Sequence, residues 1–179
     1  MRKPLAILAL FSLILAISCG GPIGTVKSAK DEYTISYFRG WKPVTEFKQP
    51  NTDNLEVVFV REDLPSFIGV KVASQTRLDI QQGHIREVTA EYAKDAEKKV
   101  PGYTLVSHEY KNVPNALGDE RLELVFSAIE GGQSYTIIQH IYAIIGKVLY
   151  VTGTYPEGDE ALANQIKDTM ESFVVAPKK

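Results

Sequence analysis

RLELVFSAIEGGQSYTIIQHIYAIIGKVLYVTGTY, residues 121–155, is the stretch that decides the fold of this chain. Three apolar segments are separated by two tight, glycine-containing turns, Gly131-Gly132 and Gly146-Lys147. In the first segment Leu122, Leu124, Phe126 and Ala128 fall on one side, the period-two pattern of a strand. Connections this short join only antiparallel neighbours, so the spacing predicts a three-stranded meander. The middle segment, 134–145, is apolar on both sides. Tyr135, Ile137, Ile141 and Ile145 point one way, and Ile138, Tyr142 and Ile144 the other. An antiparallel sheet with one wet face would alternate cleanly. Both faces of this strand therefore need a cover.

Working outward, further strands are predicted at 32–37, 55–60, 67–73 and 104–110, with a turn at Asp63-Leu64-Pro65-Ser66. Two helices supply the cover. Over 85–99, Ile85, Val88, Tyr92 and Ala96 form one stripe at helical spacing, and Pro101-Gly102 ends it. Over 159–173, Leu162, Ile166, Met170 and Phe173 form the second stripe. Glu157, Asp159 and Glu160 stand at its start, where negative charge suits the helix dipole. Strands, helix, strands, helix is the order of an α+β layered sandwich, with a mainly antiparallel sheet of about six to seven strands flanked by helices.

The chain begins with Arg2 and Lys3, then an almost wholly apolar run, Pro4 to Ile17. A membrane crossing needs roughly 20 apolar residues, so this run reads as a secretory signal peptide. Ala16-Ile17-Ser18-Cys19 resembles the bacterial lipobox, with Ala16 where leucine is usual. The resemblance implies cleavage after residue 18 and acylation of Cys19. Cys19 is the only cysteine, so it has no disulfide partner within the chain. Several acyl chains would anchor the mature protein stably. Residues 19–30, CGGPIGTVKSAK, read as a flexible tether. Gly20, rather than Asp, after the cysteine is compatible with the outer membrane of a Gram-negative host.

Cleavage would leave 161 residues, about one domain's worth. Loss of Arg2 and Lys3 takes the 20 basic residues to 18 against 22 acidic, a formal balance of −4. A mildly acidic domain lacks the clustered basic surface of a nucleic-acid binder, and electrostatic docking on anionic lipid is disfavoured too.

YTISYFRGWKPV, 33–44, resembles the opening strand of the PsbP-like family, which commonly reads Tyr-x-Ile-x-Tyr-Pro-x-Gly-Trp. Tyr33, Ile35, Tyr37, Gly40 and Trp41 match, and Phe38 stands in place of the proline. The closing Met170-Glu171-Ser172-Phe173 is similar to the family's final helix running into a Ser-Phe pair. The resemblance covers 31–176 and implies an α/β/α sandwich. It also implies a non-enzymatic role in binding or stabilising a membrane-associated assembly. The family includes extrinsic photosystem-II subunits and bacterial lipoproteins of the DcrB type, so the expectation is a bacterial lipoprotein with a PsbP-like domain.

The residues that carry chemistry elsewhere are sparse here. His84, His108 and His140 lack the close spacing of a metal site, and structural histidines are the expectation, with no metal or other cofactor. No Gly-x-Ser-x-Gly elbow or phosphate-binding loop is present. Glu62-Asp63 and Asp119-Glu120 read as solvated loop charges. Lys94, Lys98 and Lys99, beside Glu91, Asp95 and Glu97, read as an exposed helix face. The densest aromatic group is Tyr33, Tyr37, Phe38 and Trp41. Core packing accounts for it, while Phe38 and Trp41 are the candidates for contact with a protein partner if they are exposed. The functional expectation is a lipid-anchored, non-enzymatic interaction module. The alternative is a small-molecule or metal-ion carrier using a cleft between sheet and helix.

Overall fold

The computed structural model describes residues 21–28, 30, 32–45, 55–64, 66–74, 85–94, 102–113, 120–144 and 146–176. The expected signal peptide (1–18), Cys19, His84, Pro101, Asp119 and Ile145 lie outside the described residues, as do Asp95, Glu97, Lys98 and Lys99.

The chain runs β1 (Gly24–Lys27), β2 (Tyr33–Tyr37), β3 (Lys42–Val44), β4 (Leu55–Val60), β5 (Phe67–Ser74), α1 (Ile85–Lys94) and β6 (Tyr103–Asn112). It continues through β7 (Glu120–Glu130), β8 (Gln133–Ile144), β9 (Lys147–Pro156), α2 (Glu160–Glu171) and β10 (Val174–Val175). Seven strands form one antiparallel sheet in the order β3-β4-β5-β9-β8-β7-β6, and β1-β2-β10 form a second, smaller one. The meander expected at 121–155 is β7-β8-β9. Glu130 pairs with Gln133, leaving Gly131 (φ 59°) and Gly132 (φ 83°) as a two-residue loop. Two consecutive positive φ values define the turn type that matches strand twist, and glycine adopts it without strain.

The middle strand is covered on both sides, as its composition requires. Tyr142, Ile138 and Ile144 join a core with Leu162, Ile166 and Met170 of α2 and Tyr33 and Ile35 of β2. The small sheet and α2 thus form one layer together. Tyr33 and Tyr142 both lie against Phe173, with ring centroids 5.1 and 4.9 Å away. Ile137, Ile141 and Ala143 face the other way, into a core with Leu122, Leu124, Phe126 and Ile85 of α1. The result is a sandwich with a helix on each face of a seven-stranded antiparallel sheet.

Gly153 sets how closely α2 lies on β9. A Cβ there would stand 2.4 Å from Ile166 Cγ2 and 2.7 Å from Met170 Sδ. Asp159 caps α2, accepting the Leu162 amide at 3.0 Å.

Three elements depart from the sequence reading. Gly24–Lys27 pairs with β2, so part of the expected tether at 19–30 is strand. Val26 packs against the core there, but four residues are too few to display a period. The strands Lys42–Val44 and Val174–Val175 are shorter still and take their shape from their partners β4 and β2.

A candidate ligand cleft on one face of the sheet

Register brings an aromatic row to the α1 face. Phe67 pairs with Thr154, Thr154 with Ile137, and Ile137 with Phe126, crossing four strands. The neighbouring row sets Tyr135 opposite Ala128 and Ala128 opposite Tyr103. Tyr92 reaches in from α1, and these side chains bound an open cleft of about 170 Å³. Phe67 and Tyr103 keep 39% and 38% of their surface exposed, well above core aromatics such as Phe126 at 3%. Rings left half wet beside a recess are what a binding cleft requires.

A directed chain of hydrogen bonds crosses the floor. The Tyr92 hydroxyl donates to Gln139 Oε1 at 2.9 Å. Gln139 Nε2 then donates to Thr152 Oγ1 at 3.1 Å. Burial, together with the neighbouring Tyr150, pushes the Tyr92 hydroxyl up to about 12, so it keeps its proton and has one to donate.

The opposite face carries a charged cluster. Glu123 and His140 are direct cross-strand partners, with His140 Nε2 2.9 Å from Glu123 Oε2. Lys111 Nζ reaches Glu123 Oε1 at 2.7 Å. Arg121, nearly inaccessible, forms a two-point pair with Glu171, one arm at 2.7 Å from Nη1 to Oε2. Glu171 ends α2, where a carboxylate opposes the helix dipole, and Arg121 compensates it. The His140 hydrogen bond, helped by Lys111 and opposed by burial, pulls the Glu123 carboxyl down to about 2. Burial holds the His140 imidazole below its ordinary value, against the pull of Glu123. A neutral His140 that donates from Nε2 leaves its buried Nδ1 with no hydrogen-bond partner.

Glu123, His140 and Glu171 offer ligand atoms within 4.8 Å of one another. Those same atoms already serve Arg121, Lys111 and each other. A cation would have to displace the guanidinium from Glu171 and strip the Nε2 proton from His140. The cluster therefore reads as a latch between β7, β8 and the end of α2.

The residues singled out in the sequence are dispersed. Trp41 is 2% exposed and lies in the core, so its indole presents no surface to a partner. Phe38 is half-buried against the same core. His108 pairs with Leu124 and His140 with Glu123, which puts the two histidines on opposite faces of the sheet. Glu62 contacts Lys42 and Asp63 contacts Arg61, both as exposed pairs. Glu120 pairs with Arg86 of α1 at 2.6 Å. Gln139 and Thr152 were not singled out. Their signal is a polar residue interrupting an apolar face, Gln139 between Ile137 and Ile141.

No family model matches the chain, and no curated protein matches it. Solved structures do. The solution structure of cyanobacterial PsbP (CyanoP) from Synechocystis sp. PCC 6803 superposes with a TM-score of 0.61 at 17% identity, over 88% of this chain and 97% of that one. LpqN of Mycobacterium tuberculosis gives a TM-score of 0.61 at 12% identity, over 86% and 90%. A protein of Bacteroides thetaiotaomicron gives 0.55 at 13% identity, over 86% of this chain and 48% of that one. The fold is PsbP-like. Identities this low carry the architecture and nothing finer. Among the described residues no helix is long and apolar enough to cross a membrane.

Proposed function

We propose that this chain is a non-enzymatic binding module of the bacterial cell envelope, tethered by acyl chains on Cys19, with the aromatic cleft as its binding surface. The observation that carries this reading is the cleft itself. Half-exposed Phe67 and Tyr103 flank a recess whose floor carries a hydrogen-bond chain. The titratable groups on the other face neutralise one another and brace the fold, which leaves them unsuited to acid–base work. The solved LpqN is described as involved in cell envelope biogenesis, a setting that suits a lipid-anchored module of this fold. The lipobox-like Ala16-Ile17-Ser18-Cys19 supplies the anchor, and Gly20, where an Asp would favour the inner membrane, is compatible with the outer membrane in a Gram-negative host.

Two measurements test this. Palmitate labelling should mark the wild-type chain and not Cys19→Ser; equal labelling of both removes the anchor. Affinity capture from solubilised membranes should return one specific protein partner from an envelope assembly with wild type and lose it with Phe67→Ala. Capture that ignores Phe67→Ala moves the partner surface away from the cleft. A second reading, a small-molecule carrier, is favoured by the size of the recess, about 170 Å³. Native mass spectrometry separates the two, since a carrier leaves its membrane with mass beyond the acylated polypeptide.

A further inference from the structure

We infer that the cleft selects an uncharged, single-ring ligand bearing a hydrogen-bond-accepting oxygen, such as a ring carbonyl, and that Thr152 reads that oxygen. The inference rests on the second reading above, in which the cleft takes a small molecule. Size comes first. A cavity of about 150 Å³ accepts one benzene ring, and this recess is about 170 Å³ and open on one side. One ring fits between Phe67, Tyr103 and Tyr135, above Phe126 and Ile137.

Polarity comes second. The chain Tyr92 → Gln139 → Thr152 runs in one direction. Gln139 Nε2 can only donate, so Thr152 Oγ1 is the acceptor in that bond and its own hydrogen points onward. No acceptor among the described residues takes that hydrogen. The floor therefore offers a donor to whatever occupies the cleft, and a ligand without an acceptor would leave it unpaired. Leaving one partner of a buried hydrogen bond unsatisfied is the costly case, and sites built to bond a polar atom reject analogues that lack it.

Charge comes third. Among the described residues no lysine or arginine lines the recess, and Glu130 stands at its rim, so an anion meets no counter-charge there and one like charge. Aromatic faces beside a carboxylate would attract a cation. Here the floor opposes it, because the hydroxyl dipole of Thr152 turns its positive end inward.

The test uses three probes of one ring size against the full chain in detergent micelles, with empty micelles as reference. They are acetophenone, ethylbenzene and phenyltrimethylammonium. The readout is the shift of the Gln139 side-chain amide signal in two-dimensional spectra. Acetophenone should bind about tenfold more tightly than ethylbenzene, the effect of one hydrogen bond. Thr152→Val, close in shape but without the donor, should erase that difference by weakening acetophenone and relieving ethylbenzene of the unpaired donor. Thr152→Ser should restore it, which guards against a merely disturbed cleft. Equal binding of acetophenone and ethylbenzene overturns the reading of Thr152 while leaving the cleft a ring-binding site. Tightest binding of phenyltrimethylammonium overturns the uncharged class. No shift with any probe overturns both this inference and the cleft as a ligand site.

Discussion

The two faces of the seven-stranded sheet are built from the same strands, yet one is sealed and the other is open. On the α2 face, alternate residues of β4, β5, β8 and β9 meet a helix and a second sheet. Ile35, Phe59, Leu149, Ile166 and Met170 are each wholly inaccessible there. Gly153 removes the one side chain that would hold α2 off. On the other face, α1 lies over β7 and β8 and buries Ile85 with Leu122, Leu124 and Ile141. Beyond it, Phe67 and Tyr103 remain half wet among the described residues. The difference is not one of strand composition, since both faces are apolar along β8. What lies above each face decides whether an apolar row becomes core or cleft.

The sharpest way to break this comparison is truncation. Ile166→Ala, at the centre of the sealed face, should cost about 2–5 kcal/mol in urea unfolding with the slope unchanged. A loss below about 1 kcal/mol, well under that range, would mean that α2 does not seal the sheet. Glu123→Gln should cost about 1.5–3 kcal/mol at neutral pH, because charge-assisted bonds from His140 and Lys111 are lost. Its pH dependence has a definite sign. The folded Glu123 carboxyl sits at about 2 against an ordinary 4.5, so its contribution is present above 4.5 and is lost as pH falls towards 2. His140 is depressed from 6.5 by burial, so the unfolded chain takes up its proton first and stability declines as pH drops below 6.5. Melting temperature against pH should show a shallower acid limb in Glu123→Gln, with Glu171 still contributing to it, and keep the limb below 6.5. Gly153→Ala should cost about 1–3 kcal/mol, because the β-branched Ile166 cannot swing clear of the new methyl. A neutral Gly153→Ala would show that the helix has room to lift.

Most of this architecture was legible because its signals are periodic and long. Strands β7 to β9, with their glycine turns, announced the meander, and the double-sided apolarity of 134–145 announced a cover on each face. The opening pattern Tyr33, Ile35, Tyr37, Gly40 and Trp41 pointed to the PsbP-like fold that superposition then showed. The short strands β1, β3 and β10 left no readable pattern, since two to four residues cannot show a period and their shape comes from a partner. The cleft was less legible still. Tyr92 was read as core stripe, and its hydroxyl instead starts a chain through Gln139 to Thr152 across two strands. That contact depends on pairing register, which the residues of one strand do not specify. The same holds for Glu123 and His140, seventeen positions apart in sequence and directly opposed in the sheet.

The smallest expected effect on stability lies on the open face, and it is the one that separates packing from binding. Tyr103 stands at the edge of the cleft, 38% exposed, with its ring 6.3 Å from that of Phe126 at an angle of 49°. A tilted pair of this kind contributes about 0.5–1.5 kcal/mol beyond area burial. Little area is lost on truncation, because the outer side of the ring is already in water. Tyr103→Ala should therefore shift the urea midpoint much less than Ile166→Ala, while removing one wall of the recess and weakening ethylbenzene binding. A stability loss equal to that of Ile166→Ala would make the α1 face a second sealed core and end the distinction between the faces. Unchanged ethylbenzene binding would leave the distinction standing but shift the ring to the Phe67 side of the cleft.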